Sequence, residues 1–153
     1  MRVKFVIPGE PKGKGRPRVE RHGDRTVTRT PDDTIIYENL VRTEYLRQCG
    51  GHRFDDDKQL DLRVIAYYPI PSSKSKKQQR LMEDGTIRPT KKPDTDNVLK
   101  VIADSLNQVA YKDDAQVVDA SVRKFYSRKP RIVVFLSEYI RLDSLGGGGE
   151  AGE

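Results

Sequence analysis

The sequence predicts one domain in which helices pack on a single mixed β-sheet. Three observations lead there. Apolar and polar residues alternate over residues 1–7, 60–68 and 117–126, and residues 132–136 are apolar throughout. Segments of helical period, near residues 31–48 and 96–109, separate these strands, an order that suits helices laid on a mixed sheet. The chain has 153 residues, 35% hydrophobic and 34% charged, which bounds it to one ordinary domain with a modest core. We assign the domain to residues 1–140 and expect residues 141–153 to form a flexible, Gly-rich acidic tail.

The first strand carries Val3, Phe5 and Ile7 on one side and stops at Pro8-Gly9. "GEPKGKGRPRVE" is a Gly/Pro loop, and Arg18–Arg21 pairs with Arg25–Thr28 as a short hairpin. The next helix takes Thr30 as N-cap, Pro31 as first helical residue and two acids in its first turn. Its apolar face would hold Ile36, Leu40 and Val41, and Gly50-Gly51 ends it. Leu60, Leu62, Val64, Ala66 and Tyr68 line a second strand. A short basic helix follows, capped by Ser72 or Ser73. Two last strands, joined by a turn near Lys129-Pro130, include the run Ile132–Leu136, which reads as a central strand covered on both faces.

That run is also the longest apolar one, far too short to cross a bilayer. No secretory segment precedes it, because Pro8 and Glu10 interrupt the N-terminal apolar stretch, so a cytoplasmic protein is the default. Cys49 stands alone and can form no intramolecular disulfide. The formal charge is +6 and unevenly spread. Residues 1–30 hold nine Lys or Arg against Glu10, Glu20 and Asp24; residues 72–92 hold seven against Glu83 and Asp84. Two such blocks can fold into one patch for a polyanion, or simply solvate the surface.

Against that background "KPDTDNVLK" gathers carboxylates beside the second basic block. On a helix from Asp96 to about Val109, the residues Val98, Leu99, Ile102, Leu106 and Val109 share one side, while Asp96, Lys100 and Asp104 lie toward the other. Asp94 precedes the first turn. Helix capping explains an aspartate there, and Asp96 with Lys100 has the spacing of an ordinary i,i+4 ion pair. A metal site explains them equally, provided the chain after the helix brings Asp113-Asp114 back to its start. Convergent carboxylates in a basic groove suit Mg²⁺ or Mn²⁺, which prefer oxygen ligands and share them with a substrate phosphate. Other chemistries fail. Leu99 and Ser105 stand where a calcium loop of the EF-hand type needs Gly and Glu. His22, His52 and Cys49 are too few and isolated for zinc or for a catalytic triad. Gly13 and Gly15 lack the context of a phosphate-binding loop, so no nucleotide cofactor is expected.

"KPDTDNVLKVIADSLN" followed by "YKDDAQVVD" resembles the signature of RusA-type Holliday junction resolvases, endonucleases of bacteria and their phages. "IPGEPKGKGRPR" and "TRTPDDTIIYE" also resemble phage-type members, so the likeness runs over residues 3–138. It implies a two-layer α+β domain, a symmetric homodimer, branched DNA as partner and Mg²⁺ as cofactor, with Mn²⁺ as a substitute. The family's three catalytic, metal-holding aspartates fall on Asp94, Asp96 and Asp114, and its essential lysine on Lys100. Asp104 and Asp113 fall on positions that support the ligands. Tyr111 stands where some members carry tryptophan, and the segment between the two boxes is one residue shorter than in some.

The reaction this implies is paired, symmetric nicking of a four-way junction, water attacking the phosphodiester in line. Lys12, Lys14, Arg16, Arg18, Lys74, Lys76, Lys77, Arg80, Lys91 and Lys92 would grip the DNA backbone, which supplies affinity without reading sequence. A metal-dependent nuclease for flaps, or a junction-binding module without catalysis, are the alternatives.

Overall fold

The structure, a computed structural model, describes residues 1–140. The expected tail at 141–153 lies outside the described residues. In chain order the elements are β1 (Arg2–Pro8), β2 (Arg18–His22), β3 (Arg25–Arg29), α1 (Asp32–Cys49), β4 (Leu60–Pro69), α2 (Lys76–Glu83), α3 (Thr95–Ser105), a 3₁₀ turn (Asp114–Gln116), β5 (Val117–Ser127) and β6 (Arg131–Glu138). Four strands form one mixed sheet in the order β1-β6-β4-β5, with β6 antiparallel to both neighbours and β5 parallel to β4. β2 and β3 make a separate hairpin whose residues are almost all exposed.

Period-two alternation decides which side of the sheet is core. Val3, Phe5 and Ile7 of β1 and Leu60, Leu62, Val64, Ala66 and Tyr68 of β4 are all buried, as their spacing predicts. β6 buries Ile132, Val133, Val134 and Leu136 and sits between two strands, the central position its apolar run implies. On this face α3 packs Val98, Val101 and Ile102 and α1 packs Tyr37, Val41 and Tyr45. α2 lies against β5, and among the described residues no helix packs over β1, β6 and β4 on the other face. The result is the two-layer α+β domain that the sequence predicts.

Local details differ from the sequence reading. α1 starts one residue later than Pro31, which takes the cap position with ψ 144°. The Pro31 carbonyl accepts the N–H groups of Thr34 and Ile35, so Thr30 lies outside the helix. Its buried stripe runs through Tyr37, Glu38, Val41, Glu44 and Tyr45, whereas Ile36 is 69% exposed. α2 is capped by Ser75, whose Oγ accepts the Gln78 N–H at 3.2 Å, and neither Ser72 nor Ser73 does so. α3 ends at Ser105, about one turn before Val109, because Gln108 turns to φ +65° and donates its N–H to the Tyr111 carbonyl at 2.7 Å. β5 and β6 are joined by residues 128–130 but are not neighbours, since β4 lies between them. Two strand spacings of about 4.8 Å are within reach of so short a link.

α1 also protects an edge of the sheet. The Gln48 side-chain amide accepts the Val6 N–H at 2.9 Å and donates to the Val6 carbonyl at 2.8 Å. A free β1 edge would expose those groups to pairing with another chain.

Candidate active site

The start of α3 carries the first two candidate carboxylates. Asp94 is its N-cap: Oδ1 accepts the Asn97 N–H at 2.9 Å, so the capping explanation for this residue is realised. One oxygen remains for other partners, and Asp94 and Asp96 are both exposed. Beneath them the buried Tyr68 hydroxyl donates to the Pro93 carbonyl and fixes the approach to the helix. Burial, and then the charge of Asp94, push the Tyr68 hydroxyl up to about 12. Lys124, from β5, reaches the same place. Its ammonium donates to the Lys91 carbonyl at 2.7 Å, burial lowers its pKa and the Asp94 charge opposes that fall. Lys100, one turn beyond Asp96, is exposed, and among the described residues no ion pair joins it to Asp96.

The other end of α3 assembles a second group. Asp114 does not return to the helix start; its carboxyl contacts that of Asp104, two turns further along than Asp96. Three contacts bring it there. Asn107 Oδ1 accepts the Asp114 N–H at 2.8 Å. The fully buried Tyr111 donates its hydroxyl to the Ala103 carbonyl at 2.7 Å and pins the loop to the helix. The Gln116 side chain accepts the N–H groups of Lys112 and Asp113 and donates to the carbonyls of Asp55 and Lys58. Desolvation and then the shared contact with Asp104 raise the pKa of Asp114, with the Asn107 amide pulling the other way.

Lys14 closes this group. Its ammonium lies 3.3 Å from Glu38 Oε2 and 3.3 Å from Asp104 Oδ2. The Gly-rich loop can bring it so close only because Gly13 and Gly15 have no side chains. A Cβ on Gly13 would stand 2.9 Å from Asn97 Cβ, and one on Gly15 would stand 2.4 Å from Thr34 Oγ1. Lys14, expected to grip DNA, therefore points inward at two carboxylates.

Asp96 and Asp104 are eight residues apart on one helix, an axial separation of about 12 Å. Among the described residues, no three His, Cys, Asp or Glu side chains stand close enough to hold an ion together. The Asp104–Asp114 pair still has the chemistry for a hard cation. It offers oxygen donors only, burial and the contact with Asp104 raise the proton affinity of Asp114, and Mg²⁺ commonly needs one or two carboxylates beside water and a substrate phosphate. Glu38, Asn107 and Lys124 were not legible as site residues. Asn107 lies seven residues before Asp114, a faint signal; Glu38 and Lys124 arrive through tertiary packing alone.

The expected DNA-contacting residues, Lys14 apart, are exposed. Lys12 and Lys92 line a cavity of about 390 Å³ beside α3, floored by Tyr37 and Asn97. Lys74, Lys76, Lys77 and Arg80 lie on or just before α2, Lys91 on the segment leading to α3, Arg16 on the Gly-rich loop and Arg18 at the start of the β2–β3 hairpin.

Residues 8–137 match the family model described as endodeoxyribonuclease RusA. An uncharacterized protein, YqaN, of Bacillus subtilis (strain 168) is 37% identical over 136 residues, covering 89% of this chain and 96% of that one.

Proposed function

The chain belongs to the RusA endodeoxyribonuclease family, and from that premise we propose that it resolves four-way DNA junctions by paired, symmetric nicks that depend on a divalent cation. The observation that carries the reading is the Asp104–Asp114 carboxyl pair at one end of a helix whose other end presents Asp94 and Asp96. In this reading Asp94, Asp96 and Asp114 are the catalytic carboxylates and Lys100, between them, faces the phosphate.

Asp114, with Asp104 beside it, would hold Mg²⁺ or Mn²⁺; bound there, the cation would draw charge from the scissile phosphate and acidify the attacking water. The rest is work for the chain itself. Asp94 keeps its capping bond, so its free oxygen is held at a fixed point on the helix start. Lys100 offers a compact ammonium for charge that grows on the phosphate oxygens. Lys14 and Glu38 hold Asp104 from behind, and Asn107 orients Asp114.

Exposed basic residues of α2, of the Gly-rich loop and of the segment before α3 supply phosphate contacts along the arms. A two-fold dimer would present the same site to both strands, the simplest way for one domain to make matched cuts. No nucleotide cofactor enters the scheme. No helix among the described residues is long and apolar enough to cross a membrane, and we infer action in the cytoplasm of a bacterial host or phage-infected cell, where the DNA is.

The test is a synthetic four-way junction incubated with and without Mg²⁺, beside flap and linear duplexes of the same sequence. Paired nicks at the junction, dependent on the cation, are expected. Cleavage of flaps alone would reassign the substrate, and binding without cleavage would leave a junction-binding module.

A further inference from the structure

The sheet face turned away from α1 and α3 takes no part in the carboxylate site, and strand register fixes what it presents. One cross-strand row reads Lys4, Phe135, Arg63, Ser121; the next reads Val6, Val133, Ile65, Arg123; the third reads Pro8, Arg131, Tyr67, Phe125. These rows place a cation on every strand and contain no acid. Asp61 and Asp119 occur only in the row at the far end, with Arg2 and Ser137.

Four of these cations sit over aromatic rings. Arg2 sits 4.5 Å and Lys4 5.6 Å from the centre of the Phe135 ring. Arg131 sits 4.0 Å from that of Tyr67, and Arg123 5.2 Å from that of Phe125. A guanidinium stacked in this way uses its face and keeps its N–H edges for phosphate oxygens. Arg2, Lys4 and Arg123 form no ion pair among the described residues, whereas Arg63 is held by Asp61 at 3.0 Å. Arg2, Arg63, Arg123 and Phe135, with Asp61 and Asp119, line a depression of about 470 Å³ in this face, three cations against two acids.

We propose that this face binds a single-stranded DNA segment, its phosphates on Arg2, Lys4 and Arg123 and its bases against Phe135 and Tyr67. Charge selects a polyanion. The four rows carry five Lys or Arg against two Asp, so a second copy of this face would meet a net like charge. Shape selects a single strand, because aromatic rings beside an open depression can receive a stacked base, which a duplex keeps inside its own stack. The surface goes beyond the junction reading: it lies across the sheet from the carboxylates and would hold a strand exposed at a branch point.

The test uses the full chain in EDTA, with fluorescein-labelled dT12 and a labelled dT12·dA12 duplex followed by anisotropy. Arg2→Gln/Arg123→Gln should bind dT12 at least tenfold more weakly than wild type at 0.1 M salt. Its log–log salt slope should be flatter by about 1.4, since each single-strand phosphate contact contributes about 0.7. Phe135→Leu, which keeps bulk and loses the ring, should weaken dT12 binding more than fivefold with the salt slope unchanged. Both variants should melt like wild type by circular dichroism. Unchanged dT12 affinity in the double variant overturns the proposal. So does equal weakening for dT12 and duplex, or a change of oligomeric state by sedimentation, which would make the face a protein interface. A wild type that binds dT12 and cuts no junction overturns the junction reading alone.

Discussion

Replacing Lys14 with methionine removes one ammonium from between two carboxylates and leaves the aliphatic stem in place. Lys14, Glu38 and Asp104 side chains are 21%, 10% and 26% exposed, so the cluster is mostly shielded from water. Breaking a fully buried pair costs about 3–5 kcal/mol, mainly through the charge left behind. Here the loss is smaller, because Arg42 remains 3.9 Å from Glu38 and water reaches Asp104. A cost of about 2 kcal/mol follows, equivalent to roughly 4–8 °C in Tm for a domain of this size. Urea unfolding at pH 7 in EDTA measures it directly. Glu38→Gln in the same background should return part of the loss, with a coupling of about 1 kcal/mol between the two changes. A Lys14→Met protein as stable as wild type, with weaker junction binding and a flatter salt slope, would refute the inward role and make Lys14 a phosphate contact.

Asp114→Asn should raise stability at neutral pH in EDTA while abolishing cleavage. The folded-state pKa of Asp114 lies above its unfolded value, so the native protein holds the proton more tightly and wild-type stability falls as pH rises between the two values. Urea midpoints from pH 4 to 7 should show that fall in wild type and a reduced one in the variant. Asp94→Asn should stop cleavage with little change in Tm, since asparagine also caps, whereas Asp94→Ala should cost about 1 kcal/mol; equal melting of the two would deny the capping bond any weight. Lys100→Ala should keep wild-type stability and lose most junction cleavage in single-turnover assays, because the exposed side chain holds no ion pair among the described residues. Neutralising Lys74, Lys76 and Lys77 together should flatten the salt dependence of junction binding by roughly one unit per lost contact, and an unchanged slope would move α2 away from the DNA.

The sheet was legible because alternation and burial are the same fact seen twice. Val3, Phe5 and Ile7 are spaced to face one way, and the core lies that way. α1 was legible as a helix but not in its orientation. Its buried stripe includes Glu38, neutralised by Lys14 from the Gly-rich loop, and Glu44, paired with Arg47 one turn on, while the apolar Ile35 and Ile36 face out. Periodicity cannot report a charge whose partner lies 24 residues away. The carboxylates of α3 were legible as a set, through motif spacing. Their grouping was not, because it depends on how tightly the chain turns after Ser105. The positive φ of Gln108 and the buried hydroxyl of Tyr111 decide that turn, and together they bring Asp114 to Asp104.

The position of β6 also bears on how the chain is made. β1 and β4 share no ladder; each bonds to β6, which is the last of the strands to leave the ribosome. At about 5–20 residues per second, Val3 is synthesised several seconds or more before its partner Leu136 exists. Before β6 exists, α1 can meet β1 and α3, the β2–β3 hairpin can close, and the β4–β5 ladder can form with α2 and α3 against β5. Sheet closure across so long a separation makes for slow folding, and it leaves the facing edges of β1 and β4 without a ladder partner until residues 131–138 arrive. A premature stop within that strand would release a lone β1 strand and a β4–β5 pair, each with an open edge.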